Sequence, residues 1–225
     1  MSAWWQLLRQ VVLFPASLLY PPLCRGCQCY VTEGLLFCDN CSKKVRPLVS
    51  LDIPITPTYT MTLFAAARYM QPVKGLVLRK FAGDVLASKQ LAQLILQQTP
   101  IKNLHIDYIV PIPLHWRRYA HRGFNQAQVM AQALGRELHV PVLDLLRRTR
   151  ATGYQSRLSL VEREENVRGI FALKSRYATT IRSCVQGKTI LFVDDLSTTG
   201  ATLANAAKVI TRYRPAQVLG VVAAR

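Results

Sequence analysis

The chain has 225 residues, half of them hydrophobic, and a formal net charge of +17. That length and hydrophobic fraction support one substantial core with a small accessory unit. The charge points either to anionic partners (nucleic acid, nucleotides or an acidic membrane surface) or to a cationic surface with no dedicated ligand. Five of the six cysteines fall between Cys24 and Cys41, which excludes a disulfide framework spread through a secreted domain.

At the N-terminus, Trp4, Leu7, Leu8, Val11 and Val12 share one helical face. The pattern predicts a helix docked on the protein's own core; membrane-surface binding is disfavoured because only Arg9 supplies positive charge there. The apolar run from Val11 to Leu23 is broken by Pro15, Pro21 and Pro22 and is too short for a transmembrane helix. No early basic region or small-residue cleavage site marks a signal peptide, so a cytoplasmic location is expected.

Cys24-x-x-Cys27 and Cys38-x-x-Cys41 form two knuckles, and four thiolates complete a tetrahedral shell with no open position. The pattern predicts a structural zinc site on Cys24, Cys27, Cys38 and Cys41, with an iron–sulfur centre as the lesser alternative. Cys29 is either a substitute ligand for Cys27 or a buried free thiol. Pro47, Pro54 and Pro57 then read as an irregular linker, followed by a strand from Thr62 to Tyr69 and a helix from Val85 to Gln98.

Ile106 to Ile112 is an apolar strand ended by Pro111 and Pro113. Beyond it lie His115, Arg117, Arg118, His121 and Arg122, then Gly123-Phe124-Asn125-Gln126 and a helix with Ala127, Met130, Ala131, Leu134 and Leu138 on one face. A cationic loop between strand and helix suits a pyrophosphate, though a basic surface loop reads the same. Val140 to Leu146 is expected as a further strand. Arg147, Arg148, Arg150 and Arg157 follow in a stretch whose Thr152, Gly153, Gln155 and Ser156 suggest mobility. Such a segment either closes over a polyanion as a lid or lies along a phosphate backbone. A charged helix end over 162–169 and a short strand at Ile170 to Leu173 come next.

The most informative stretch runs from Ile190 to Thr202. Four apolar residues suit a strand buried on both faces, and they run straight into Asp194 and Asp195. A hydroxyl-rich turn, Gly200, and a helix carrying Leu203, Ala206, Ala207 and Ile210 follow, ending before Pro215. Carboxylates at a strand's carboxyl end accept hydrogen bonds from sugar hydroxyls. Thr198 to Thr202 offer hydroxyls beside the free N–H groups and positive dipole end of a helix, which suit a phosphate. A nucleotide-binding P-loop is rejected: Arg182 stands where the first glycine before Gly187-Lys188-Thr189 belongs, and that stretch opens a strand. An Asp N-cap alone explains one carboxylate, not two with Thr-Thr-Gly-x-Thr.

These thirteen residues resemble the phosphoribosyl-diphosphate (PRPP) motif of type I phosphoribosyltransferases. The whole chain resembles the ComF family of phosphoribosyltransferase-like proteins. The pieces that carry the resemblance are the cysteine knuckles, Lys80-Phe-Ala-Gly83-Asp84, Asp107 through His115, Arg122-Gly-Phe-Asn-Gln126, Arg150 with Gln155, Glu162-Arg163-x-x-Asn166-Val167, and the Asp194-Asp195 motif, in family order. The resemblance implies an α/β fold: a type I phosphoribosyltransferase-like parallel sheet flanked by helices, with a small N-terminal zinc module built on four cysteines. The module is expected over 1–50 and the main domain over 51–225, with a hood near 60–105 and a core near 106–225. Core strands are expected near 106–112, 140–146, 188–193 and 217–223.

For the site, the resemblance implies PRPP held by Asp194 and Asp195 at the ribose and by Thr198, Thr199, Gly200, Ala201 and Thr202 at the 5′-phosphate. Lys80, Leu114, His115 and Arg122 would hold the pyrophosphate with Mg²⁺. A nucleophile would then displace pyrophosphate from the anomeric carbon, as in a phosphoribosyltransferase, although no residue stands out as a general base. The family setting implies competence-type DNA uptake, use of external DNA as a nutrient, and an uptake machinery as partner. The alternative is a non-catalytic factor that binds nucleotide or single-stranded DNA on the same scaffold.

Overall fold

A computed structural model describes residues 21–79, 84–115, 119–120, 123–149 and 169–225. The expected N-terminal helix around Trp4 to Val12 lies outside them. A five-stranded sheet forms the framework, in the order β1-β2-β7-β6-β3. β1 is Leu51–Thr56, β2 Tyr59–Ala67, β3 Tyr108–Pro111, β6 Thr189–Leu196 and β7 Gln217–Ala224. β2, β7, β6 and β3 run parallel, and β1 pairs antiparallel with β2. β4 (Leu146–Arg148) and β5 (Phe171–Leu173) make a separate antiparallel ribbon. The helices are α1 (Asp39–Ser42), α2 (Val73–Arg79), α3 (Val85–Gln98), α4 (Gln126–Leu138), α5 (Ile181–Val185) and α6 (Ala201–Thr211).

The middle strands are apolar on both faces because helices cover both. Leu191, Val193, Leu219 and Val221 point into a core with Leu91 and Ile95 of α3 and Met130 and Leu134 of α4. Ile190, Phe192, Val218 and Val222 point the opposite way, against Leu203, Ala207 and Ile210 of α6. This alternation is the two-residue period of a strand acting on two cores at once. The architecture is a mixed, mostly parallel sheet flanked by helices, as expected, and α3, α4 and α6 form where the helical spacing puts them. No described helix is long and apolar enough to cross a membrane.

Three elements differ from expectation. Residues 51–56, read as linker, form β1; Pro54 is tolerated because β1 is the sheet's outer strand, where a missing N–H can face the open edge. Residues 140–146 do not form a central strand. Ile109 N–H donates to Pro141 O and Leu143 N–H to Ile109 O, at 3.0 and 2.8 Å, and the chain then leaves the sheet. Pro141 has no donor to continue a ladder, and Asp144 turns outward to pair with Lys174 and with Arg176, the latter at 3.2 Å. Residues 59–67, placed at the start of the hood on sequence, run inside the main sheet as β2. The cysteine segment docks on α3: Gln93 Nε2 donates to Gly34 O at 2.7 Å, and Cys24, Leu36, Phe37 and Cys41 join the α3–α4 core.

Asp107 ties the amino ends of β3 and β6 together. Its carboxylate accepts Thr189 N–H at 2.8 Å and Lys188 Nζ at 3.1 Å. The Thr189 N–H first, and Lys188 after it, hold the carboxyl below its usual range against the opposing effect of burial. A carboxyl whose pKa is depressed by folding adds stability above its unfolded value, about 3.9, and loses it as pH falls through the folded value. Asp107→Asn should therefore lower stability at neutral pH by about 1–3 kcal/mol. Urea unfolding across acidic pH should show the wild-type advantage shrinking from about pH 4 downward.

Candidate ribose-phosphate site and cysteine centre

β6 stays fully buried through Val193 and emerges at Asp194, Asp195 and Leu196, which are half-buried. Asp194 Oδ1 accepts Asp195 N–H at 2.9 Å, which fixes the first carboxylate over its own strand end. Ser197 N–H continues the ladder to Ala224 O at 3.1 Å, and its buried hydroxyl accepts Gly200 N–H at 2.9 Å, closing the turn. Thr199 Oγ1 accepts Ala201 N–H at 3.3 Å at the start of α6. Thr198 is exposed on the rim, while Thr199, Ala201 and Thr202 are half-buried. The turn therefore presents hydroxyls and first-turn N–H groups of an 11-residue helix just beyond the strand end that carries the two carboxylates.

Gly200 is required twice over. Its φ of +83° is the left-handed region, and a Cβ there would lie 1.9 Å from Ile53 Cδ1 of β1. Ile53 thus props the turn from the neighbouring hairpin.

β3 delivers the second half of the site. Pro111 pairs with Val193, and Ile112 N–H reaches Val193 O at 2.9 Å. Leu114 and His115 follow two and three residues past this last bond to β6. His115 is buried and Leu114 half-buried. Asn125 caps α4, accepting Ala127 N–H at 3.2 Å while donating to Ile112 O at 3.0 Å, so helix start and strand end are stitched together. Lys80 and Arg122, expected at the pyrophosphate, lie outside the described residues, as do Arg117, Arg118 and His121.

Of the expected lid, Arg150 and Arg157 also lie outside the described residues. Arg147 is exposed on β4. Arg148 is half-buried, its guanidinium 5.7 Å from the centre of the Phe171 ring. The ribbon that carries both packs through β5 against α6.

The cysteines converge. The Sγ atoms of Cys24, Cys27, Cys29 and Cys38 all lie within 4.8 Å of one another, a group that could hold a metal ion. Cys27 Sγ is 3.3 Å from Cys29 Sγ and 3.5 Å from Cys38 Sγ. Tetrahedral zinc at about 2.3 Å from each sulfur needs edges near 3.8 Å, so the donor set fits. Gly26 N–H and Cys38 N–H point at Cys24 Sγ, at 3.4 and 3.3 Å. Burial opposes ionisation of Cys24, but the N–H groups of Cys27, Cys38 and Gly26 outweigh it and lower its pKa to about 6. Cys41, from the expected set, is buried at the same point. Its thiol is pushed up to about 12, by burial first and then by the thiols of Cys24, Cys27 and Cys38. Cys29 is pushed up to about 12 by Cys27 and Cys38. The group that converges thus holds Cys29 where the expected set had Cys41, and Cys41 is buried beside it.

Fold and site define a class: an α/β protein with a hydroxyl-rich turn after an Asp-Asp strand end, and a cysteine centre docked on its flank. Three relatives place it further. The DNA utilization protein YhgH of Escherichia coli K12 is 31% identical over 207 residues, covering 87% of this chain and 81% of that protein. Competence protein F of Haemophilus influenzae is 27% identical over 200 residues, covering 84% of each. Competence protein ComFC of Bacillus subtilis is 37% identical over 100 residues, 44% of this chain and 36% of that one. The chain belongs to the ComF family, alongside the YhgH proteins. No protein-family model matches it. A solved structure titled as the allosteric regulatory enzyme of purine biosynthesis overlaps 60% of this chain and 25% of its own at 20% identity, with a TM-score of 0.36, a likeness too slight to carry an argument.

Sequence reasoning missed Ile53, for which the linker reading gave no signal, and Ser197, whose hydroxyl one residue past the strand was a legible turn-closing signal. Gly200→Ala should cost about 1–3 kcal/mol from its backbone conformation alone, and the Ile53 contact should add to it. Ile53→Ala should remove the added part, so chemical denaturation of the two single variants and the double should show less than additive loss.

Proposed function

We propose that the protein binds PRPP, or a nucleotide sharing its ribose 5-phosphate, in the service of DNA utilization. The observation that carries the reading is the end of β6: two carboxylates, then a turn closed by Ser197, then directly a helix start. Thr198, Thr199, Gly200, Ala201 and Thr202 would hold the 5′-phosphate, Asp194 and Asp195 the ribose hydroxyls, and backbone at Leu114 and His115 the pyrophosphate. Lys80 and Arg122 would complete the pyrophosphate site. Mg²⁺ bound with the pyrophosphate would neutralise its charge. The family names on the relatives support the DNA role, with the uptake apparatus as the setting.

Whether a phosphoribosyl group is transferred turns on an acceptor. Pyrophosphate release measured against a panel of bases separates an enzyme from a binding factor. The second reading, a non-catalytic nucleotide or single-stranded DNA binder, is favoured by the net charge of +17.

Replacing Asp194 and Asp195 by Asn keeps shape and removes charge. The double variant should fold as wild type and lose PRPP affinity in calorimetry, each lost charged hydrogen bond costing about 1.5–3 kcal/mol. Unchanged affinity removes the ribose assignment.

The cysteine centre is proposed as structural zinc on Cys24, Cys27, Cys38 and Cys41, with Cys29 adjacent and outside the shell. Metal analysis should return about one zinc per chain. Cys29→Ser should retain it and Cys41→Ser should lose it; the reverse result assigns Cys29 as the fourth ligand.

A further inference from the structure

The sheet ends in a line of like charge that the ribose-phosphate reading does not use. Continuing the β1–β2 register from Leu51 opposite Leu63 by five residues sets Arg46 opposite Arg68, and Arg68 N–H donates to Arg46 O at 2.9 Å. Continuing β2–β7 from Ala67 opposite Ala224 by one residue sets Arg68 beside Arg225. Tyr69 N–H to Arg225 O at 2.8 Å and Arg225 N–H to Ala67 O at 3.0 Å fix that step. Cross-strand partners share a face, so the three arginines stand side by side across neighbouring chains. Arg225 Nε then donates to Thr198 O at 3.0 Å, on the rim of the phosphate turn.

All three arginines are exposed, and none has an ion pair among the described residues, whose ion pairs gather at Asp107 and Asp144. Like charges directly opposite one another destabilise a sheet. An anion lying across such a row, which has no paired acid among the described residues, relieves that repulsion. The row covers two strand spacings, about 10 Å. That is longer than one phosphate group and its ester, and it is linear where a small-anion site would converge.

We infer that Arg46, Arg68 and Arg225 form a track for the phosphate backbone of single-stranded nucleic acid, ending at the rim of the phosphate turn. Each guanidinium takes phosphodiester oxygens through its forked N–H groups. Arg225 is the joint: its Nε is committed to Thr198 O, and its terminal N–H groups remain for phosphate. A strand on the track and a phosphate in the turn therefore meet at this residue and weaken each other's binding. The track stands on the arginine geometry alone; only this coupling rests on the proposed PRPP site.

The test is fluorescence anisotropy of labelled oligo-dT in a salt series, with PRPP binding followed separately by calorimetry. Arg46→Gln with Arg68→Gln should lower the slope of log affinity against log salt by about 1.4, since each single-strand phosphate contact contributes about 0.7. The same variant should bind PRPP as wild type does, and PRPP should displace oligo-dT from wild type. An unchanged slope overturns the track. So does an equal loss of binding to polyglutamate, which would make the row a general polyanion surface. Wild type that binds PRPP with no displacement of oligo-dT overturns the coupling and leaves the ribose-phosphate site intact. Wild type that fails to bind PRPP while the slope still falls overturns that site and leaves the track.

Discussion

A strand buried on both faces can carry charge only where it leaves the sheet, and much of this molecule follows from where β6 does so. Its apolar run is covered by α3 and α4 on one side and α6 on the other. Asp194 and Asp195 must then fall at the carboxyl end, where they are half-buried and flanked by the start of α6. Moving the acids back by two residues would place a carboxylate in the α3–α4 core or against Leu203, where an unpaired charge costs several kcal/mol. Position in the sheet, more than any single contact, concentrates polar chemistry at one edge of the molecule.

What the sequence made legible is what periodicity and short-range chemistry control. The apolar run of β6, the helical spacing of α4 and α6, and the hydroxyl-rich turn all report on residues near in sequence. β1 was not legible because Pro54 and the flanking prolines look like a linker, and only an outer place in the sheet makes them compatible with a strand. The stretch from Val140 to Leu146 misled in the other direction: its apolar residues satisfy β3 for two hydrogen bonds, and Pro141 and Asp144 then end the pairing.

The site was legible in the same uneven way. Asp194, Asp195 and the turn are contiguous, so their grouping could be read directly. Ile53 against Gly200, and Arg225 at Thr198, join segments far apart in the chain, and no local pattern announces either. The cysteines fall between these cases. The paired spacing announces a centre, but Cys29 and Cys41 both lie within reach of it, and spacing alone does not rank them.

The two outer strands of the sheet also bear on how copies of the protein meet. An open sheet offers rows of donors and acceptors to any passing strand, the usual template for edge-to-edge polymerisation. On one side, Pro54 deletes a donor in the middle of β1. On the other, the short run around Pro141 to Leu143 occupies Ile109 on the free flank of β3 and then turns away. Both flanks are blunted by a proline, each a few residues long and placed where a neighbour would dock. A protein this rich in buried β structure is thus kept from templating edge-to-edge pairing along either flank.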